Sequence, residues 1–454
     1  DINTYATKVI PYWIGKTQRE RIFNHVPQEW KSAYEAGVFT EFMEQRAPGH
    51  TVLDGKVYIK GLNDIKKEIA VHLSSLDFLN DPEATDKAEE LKAMDISCDA
   101  AILFANRHAD LAEEMEKNEK DEKRKKELFN IAEVCRHIPA QAPRNTWEAI
   151  QTYWFSHLAI ITELNGWDAM NPGHLDQHLY PFYKNDIASK KFNRDEIKEL
   201  ICCFFIKVNN QPAPPKVGIT AKESGTYNDF TNINIGGLNR DGSDAVNEVS
   251  YMLLEVIEEL HLLQPGNSVH ISSKTPDKFL NAACKLIRQG HGYPSVFNPD
   301  IYVQELLRQG KSLEDAREGG CSGCIEVGAF GKEAFLLTGY LNVPKILELT
   351  LNNGIDPVTG KQAGIETGNP ITFRSFEELY DAFLKQLKFI IDLKIRVSNY
   401  IDRMFALYAP APYLSLWIDD CIAKGKDYYN AGPRYNTSYI QCCGLGTVTD
   451  SLLV

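Results

Sequence analysis

The chain has 454 residues, a formal net charge of −13 and 43% hydrophobic residues. This length allows a large buried core and exceeds one average domain, although barrels reach it as a single unit. The acidic balance argues against a nucleic-acid partner gripped through its phosphates, and no apolar run approaches the roughly 18 residues of a membrane span.

The opening Asp1-Ile2-Asn3-Thr4 has neither Met nor an apolar signal core. The closing Ser451-Leu452-Leu453-Val454 has no terminating feature, so further segments are expected beyond both ends. Ten cysteines stand at 98, 135, 202, 203, 284, 321, 324, 421, 442 and 443. In a chain this large they point to reduced thiols and a cytoplasmic setting rather than a disulfide framework. The adjacent pairs Cys202-Cys203 and Cys442-Cys443 suit buried thiol packing better than a bridge, and most of the ten are expected as small core residues.

In chain order, Gln28 to Gln45 carries Trp30, Tyr34, Phe39 and Phe42 among polar residues and reads as a helix ending at the turn signal Ala47-Pro48-Gly49-His50. Lys56 to Lys60 is a short strand candidate. Ala88 to Arg136 is helix-rich, and its charge run from Glu113 to Glu127 reads as a solvated face. Thr146 to Glu163 places Trp147, Ile150, Trp154, His157, Leu158 and Ile161 at three- and four-residue spacing, an amphipathic helix with Thr146 as its capping residue. Trp167-Asp168 follow as loop residues.

Strands are then expected at Val217 to Thr220, Thr231 to Ile235, Ser268 to Ser272 and Pro294 to Phe297. Helices are expected at Ala245 to Leu262, at Pro276 to Gln289 and onward to Arg317. A helix from Phe376 to Tyr408, another over Ala409 to Leu416 and a strand at Thr437 to Gln441 repeat the alternation. Strands alternating with helices argue for parallel β/α units, either a closed barrel or an open sheet. The simplest organisation is one α/β domain with a helical N-terminal layer.

The segment Gly319 to Glu333 holds five glycines in fifteen residues, which argues against a regular element and allows close approach to a ligand. Its Cys321 and Cys324 admit three readings. A Cys-x-x-Cys redox pair lacks the usual helix after the second cysteine. A zinc half-site lacks a second pair of suitable form. The third takes Cys324 alone with Glu326, a thiol and a proton carrier in one loop. Spacing does not choose among these readings and ordinary buried thiols.

Gly323-Cys324-Ile325-Glu326 resembles the Gly-Cys-x-Glu thiyl-radical loop of the glycyl radical enzymes. Ala47-Pro48-Gly49-His50, Leu175-Asp176-Gln177-His178-Leu179-Tyr180-Pro181-Phe182-Tyr183, Thr338-Gly339-Tyr340-Leu341-Asn342, Leu349 to Gly354 and Asp356-Pro357-x-Thr359-Gly360 are also similar to segments of that family. Cys-Ser-Gly-Cys-Ile-Glu-Val-Gly is most similar to the branch that removes water from trans-4-hydroxy-L-proline. Branches acting on glycerol, propanediol or choline usually carry Pro where this chain has Val327.

The resemblance implies a ten-stranded β/α barrel surrounded by helices, with residues 1–454 a single pyruvate formate-lyase-like catalytic domain cut before the glycine radical domain. It implies a glycyl radical installed by a radical S-adenosylmethionine activating enzyme, no other bound cofactor, no metal, and a homodimer. The usual Arg-Val-x-Gly-type segment is absent, so no glycine of this chain is assigned the radical. The resemblance makes Cys324, Glu326 and Asp168 catalytic and places His50, Tyr340, Ser224, Phe230 and Phe42 at the substrate. His50 is expected as the partner of Asp168. His174 and His178 are four apart but lack an evident third ligand and read as surface or core histidines. Cys321 reads as a supporting loop position. The competing classes are a lyase for another small hydroxylated substrate and a non-catalytic thiol- or metal-binding protein.

Overall fold

The computed structural model describes residues 2–41, 51–164, 170–211 and 231–454. The helical layer comes first. Ala84–Asn118 and Glu122–His137 form a hairpin across the short turn at 119–121, and Arg136 ties its base by pairing with Asp110 and Glu113. The charge run lies on the outer surface of this hairpin, as its composition requires.

The Thr146–Glu163 helix forms over its expected span and buries Tyr153, Trp154, Phe155 and Ile160. Its cap is Asn145, whose side chain accepts from the Glu148 N–H at 3.0 Å. Thr146 is not the cap. It is buried one position inside the helix, with its own N–H donating to Asp186 at 2.8 Å.

Two expected elements are corrected. The helix begun at Gln28 stops at Glu35 rather than Gln45. Gly37 turns the chain at φ 73°, and Phe39 pairs antiparallel with Leu341, so a tertiary bridge takes over where the helical pattern persists in sequence. Lys56 to Lys60 is not a strand but one helical turn, Lys56–Ile59, that buries the consecutive Val57 and Tyr58. A five-residue run is too short for its period to decide between the two.

The strands are β1 (Asn232–Gly236), β2 (Gly266–His270), β3 (Ser295–Phe297), β4 (Gly320–Cys321), β5 (Val327–Gly328), β6 (Glu333–Asn342) and β7 (Tyr435–Cys443). β1, β2 and β3 are parallel neighbours, with the Glu248–Leu260 and Asp277–Ile287 helices as crossovers. Parallel bridges extend this array beyond β1, from Asn234 to His174 and from Asn171 to Val52. Five extended segments therefore run side by side in one direction. β6 and β7 form a second parallel pair, with a register break between Leu337 and Gly339. The chain is of the α/β class.

β6 is buried along almost all its length and runs Ala334-Phe335-Leu336-Leu337 without a polar residue, so it shows no alternation to read. Lys394, in the Phe376–Tyr408 helix, crosses beneath the register break. Its ammonium donates to Thr338 O at 2.6 Å and pairs with Glu41 at 2.6 Å, both charges fully buried. No disulfide joins the cysteines, but the expectation of thiol burial holds for only four: Cys98, Cys135, Cys321 and Cys421. Each adjacent pair straddles two faces of its element, so Cys203 and Cys442 are exposed while Cys202 and Cys443 are half-buried. Among the described residues no helix is long and apolar enough to cross a membrane.

Candidate active site

Cys324 sits at the tip of a short antiparallel hairpin. Gly320 pairs with Gly328 and Cys321 with Val327, and the Ser322 N–H donates to Glu326 O at 2.9 Å to close the tip. The segment is thus not wholly irregular, because its glycines flank two-residue strands. They are required by contact. A Cβ at Gly320 would stand 2.8 Å from the Phe330 ring and 2.9 Å from the His270 ring, and one at Gly328 would strike the Phe335 ring.

Polar side chains from β1 hold the first strand of the hairpin. Asn234 pairs with both backbone groups of Cys321: its Nδ2 donates to the carbonyl at 2.9 Å and its Oδ1 accepts from the N–H at 3.2 Å. The side chain acts as an extra peptide. His270 Nε2 lies 2.6 Å from the same Oδ1 and donates to it, since that oxygen is an acceptor. Burial pushes His270 far below the usual imidazole range and keeps it neutral. The Gly319 carbonyl, at the hairpin's entrance, receives His174 Nε2 at 3.0 Å and has the Tyr302 hydroxyl at 3.2 Å. Burial lowers His174 to about 4, so it too is neutral.

The two thiols differ sharply. Cys321 is buried and its Sγ donates to Gly323 O at 3.6 Å. Burial, with Glu326 and Cys324 nearby, pushes its thiol well above the ordinary range. Cys324 is exposed. Glu326 Oε2 accepts from the Cys324 and Ile325 N–H groups at 3.3 and 3.0 Å, so its carboxylate orders the tip that carries the thiol. The return strand is braced by Tyr439 of β7, whose hydroxyl donates to Val327 O at 3.0 Å, and by Glu333, which accepts the Ala329 N–H at 2.7 Å and pairs with buried Lys311 at 3.0 Å. Below the hairpin, Lys332 pairs with Asp54 at 2.8 Å and Glu318 at 3.3 Å.

Of the residues expected at the site, the structure brings Cys324 and Glu326 together on this tip. Tyr340 lies in β6, opposite Gln441 of β7, with its N–H donating to Thr40 Oγ1 at 2.8 Å. Phe42, His50, Asp168, Ser224 and Phe230 lie outside the described residues. The described residues that follow three of their segments, Thr51, Asn171 and Asn232, meet one another beside the hairpin. Asn171 pairs with Thr51 and Leu53 through its main chain, accepts the Asn232 N–H on Oδ1, and donates from Nδ2 to Ser322 O. Asn171, Asn232, Asn234, His270 and Lys332 escaped the sequence reading. The one available signal was two asparagines alternating with Ile233 and Ile235 in a strand with no solvent face.

A family model described as pyruvate formate lyase-like matches residues 1–454. The chain belongs to the pyruvate formate lyase-like family. It is 55% identical over 448 residues to trans-4-hydroxy-L-proline dehydratase of Clostridioides difficile, covering 99% of this chain and 57% of that relative. The solved structure of hydroxyproline dehydratase from that organism, with trans-4-hydroxy-L-proline bound, matches with a TM-score of 0.96 over 99% of this chain and 57% of the other. The glycerol-bound B12-independent glycerol dehydratase of Clostridium butyricum matches at 37% identity with a TM-score of 0.91, covering 98% of this chain and 56% of that one. This pyruvate formate lyase-like chain therefore spans a little over half the length of the proteins it resembles.

Within this family member the Leu175 to Tyr183 stretch is structural. Asp176 accepts from the Gly236 N–H at 2.7 Å and from the Ser250 hydroxyl, and Gln177 Nε2 donates to Gly236 O at 2.8 Å. Together they fix the end of β1. His174 is buried and His178 half-buried: His178 stacks on Tyr58 and lies 3.5 Å from Asp54.

Proposed function

We propose that this chain is the catalytic domain of a radical dehydratase that converts trans-4-hydroxy-L-proline to 1-pyrroline-5-carboxylate, built as the ten-stranded β/α barrel of its family. The observation that carries the reading is the 55% identity to a hydroxyproline dehydratase over 99% of the chain. The five parallel segments from Val52 to β3 and the parallel β6–β7 pair support the barrel. The exposed Cys324 thiol on a rigidly held tip supports the thiyl role.

A glycyl radical, installed by a radical S-adenosylmethionine activating enzyme, supplies the oxidising equivalent that converts a thiol to a thiyl. Cys324 then takes a hydrogen atom from C5 of the ring. The C4 hydroxyl leaves as water, protonated by the Glu326 carboxyl; Cys324 returns its hydrogen atom to C4 of the product radical, and the ring N–H proton released on forming the imine replaces the one that Glu326 gave. Glu326 has a second task, ordering the tip amides, and the two are compatible because proton donation needs only one oxygen. Asp168 is assigned to the hydroxyl or the ring nitrogen with His50 as its partner, Tyr340 to a substrate hydrogen bond, and Ser224, Phe230 and Phe42 to the pocket wall. Thr51, Asn171 and Asn232 support these positions, because each follows one of the assigned segments, Asn171 and Asn232 bond the hairpin, and Thr51 pairs with Asn171. The homodimer and the cytoplasmic setting are part of the same proposal.

The test is anaerobic activation of the full-length parent with hydroxyproline and mass-spectrometric detection of pyrroline-5-carboxylate. Cys324→Ser is expected to abolish turnover while the glycyl radical signal still forms. Turnover retained in that variant removes the thiyl role. The likeness to glycerol dehydratase favours a small polyol as the second reading, and glycerol consumption with hydroxyproline untouched would establish it.

A further inference from the structure

Four of the stretches that carry residues assigned to this site are joined by one residue. Asn171 is fully buried. Its N–H donates to Thr51 O at 3.1 Å and its carbonyl accepts from the Leu53 N–H at 2.9 Å. Its side-chain Oδ1 accepts the Asn232 N–H, and its Nδ2 donates to Ser322 O. The orientation of this amide follows from its partners, because a main-chain N–H can face only the oxygen and a main-chain carbonyl only the nitrogen.

In sequence, Thr51 follows His50, Asn171 stands three residues after Asp168, Asn232 two after Phe230, and Ser322 two before Cys324. We infer that Asn171 is a positioning residue that holds the Cys324 hairpin in register with three of the segments bearing the substrate contacts. The inference rests on the radical dehydratase reading. Its physical basis is that hydrogen transfer demands a near-contact geometry between thiol and substrate, and a displacement of about 1 Å costs on the order of 100-fold in rate. Of the two side-chain bonds, the one to Ser322 is the direct tie to the reactive loop. Asn232 and Asn234 reach Cys321 from β1, and Asn171 adds the bond to Ser322 together with main-chain pairing to 51–53.

The test uses the full-length parent, activated anaerobically. Asn171→Asp retains an acceptor for Asn232 and replaces the donor facing Ser322 with an oxygen. The expected result is a fall in kcat of at least about 10-fold, with KM and the glycyl radical signal changed by no more than about twofold. The deuterium isotope effect for substrate labelled at C5 should rise, because hydrogen transfer becomes more rate-limiting. A merely structural residue would lower activity in proportion to folded, radical-bearing protein and leave the isotope effect unchanged, and that outcome overturns the inference. Should Asn171→Asp not fold, Asn171→Ser keeps the main-chain pairing and is expected to show the same split. If the unaltered parent leaves hydroxyproline untouched, it is the substrate reading that fails. Amide hydrogen exchange of the resting parent then decides the inference by itself. Asn171→Asp should accelerate exchange in 51–53, 231–236 and 320–328 together, and acceleration confined to 170–173 overturns it.

Discussion

Lys332→Met removes the cation beneath the Cys324 hairpin while keeping most of the side-chain volume. The Lys332 side chain is only 7% exposed, and its ammonium lies 2.8 Å from Asp54 and 3.3 Å from Glu318, which are 23% and 27% exposed. Burial alone would raise Asp54; Lys332 and His178 outweigh it and hold the carboxyl below its usual value of 3.8. Removing one member of a buried pair costs about 3–5 kcal/mol. The carboxylates recover some hydration at their partial exposure, so a loss of about 3 kcal/mol is expected at pH 7. A lowered carboxyl contributes stability above its unfolded pKa and loses it as pH falls through the folded value. The gap between variant and parent should therefore narrow below pH 3.8, and this is read by urea unfolding, followed by circular dichroism, at neutral and acid pH. A double-mutant cycle with Asp54→Asn should return a coupling of about 2 kcal/mol. A variant within about 1 kcal/mol of the parent at pH 7, or a gap unaltered by acid, would refute the pairing of Lys332 with Asp54 and Glu318 as a source of stability.

Other expectations can be checked on the same protein. Alkylation followed by peptide mass spectrometry should modify exposed Cys324 at least about 10-fold faster than Cys321, whose thiol is buried and raised; equal rates would contradict the hairpin geometry. Gly320→Ala forces a methyl against the fully buried Phe330 and His270 rings and should lower stability by about 1–3 kcal/mol, with an unchanged Tm counting against that packing. Burial, then the charges of Asp427 and Glu163, raises Glu90 to about 8 from 4.5. The folded state therefore retains a proton there that the unfolded chain releases, and stability should fall between pH 4.5 and about 8 by at most about 1.4 kcal/mol per pH unit for that proton. Glu90→Gln should flatten this slope in urea titrations, and an identical slope would show that Glu90 does not carry it.

Much of the fold was legible where a pattern repeats locally. The Thr146–Glu163 and Phe376–Tyr408 helices match their expected spans because apolar spacing near 3.6 persists for several turns. Ile233 and Ile235 marked β1 by alternation. β6 and the Lys56–Ile59 turn were not legible: one is buried on both faces, and the other is too short to show a period. The expectation that most thiols are buried failed for the reverse reason, since cysteine on an outer face looks the same in sequence as cysteine in a core.

The sequence by itself determined that a glycine-rich loop carries Cys324 and Glu326, and it contained the segments that resemble the glycyl radical enzymes. Only the tertiary structure decided how that loop is held. Asn234 pairing with Cys321, Asn171 joining Thr51, Asn232 and Ser322, and Lys332 bridging Asp54 and Glu318 all link residues far apart along the chain. Helix and strand periods arise from local sterics and appear in the order of residues. The satisfaction of buried polar groups is long-range, and its partners are defined only once the chain has folded.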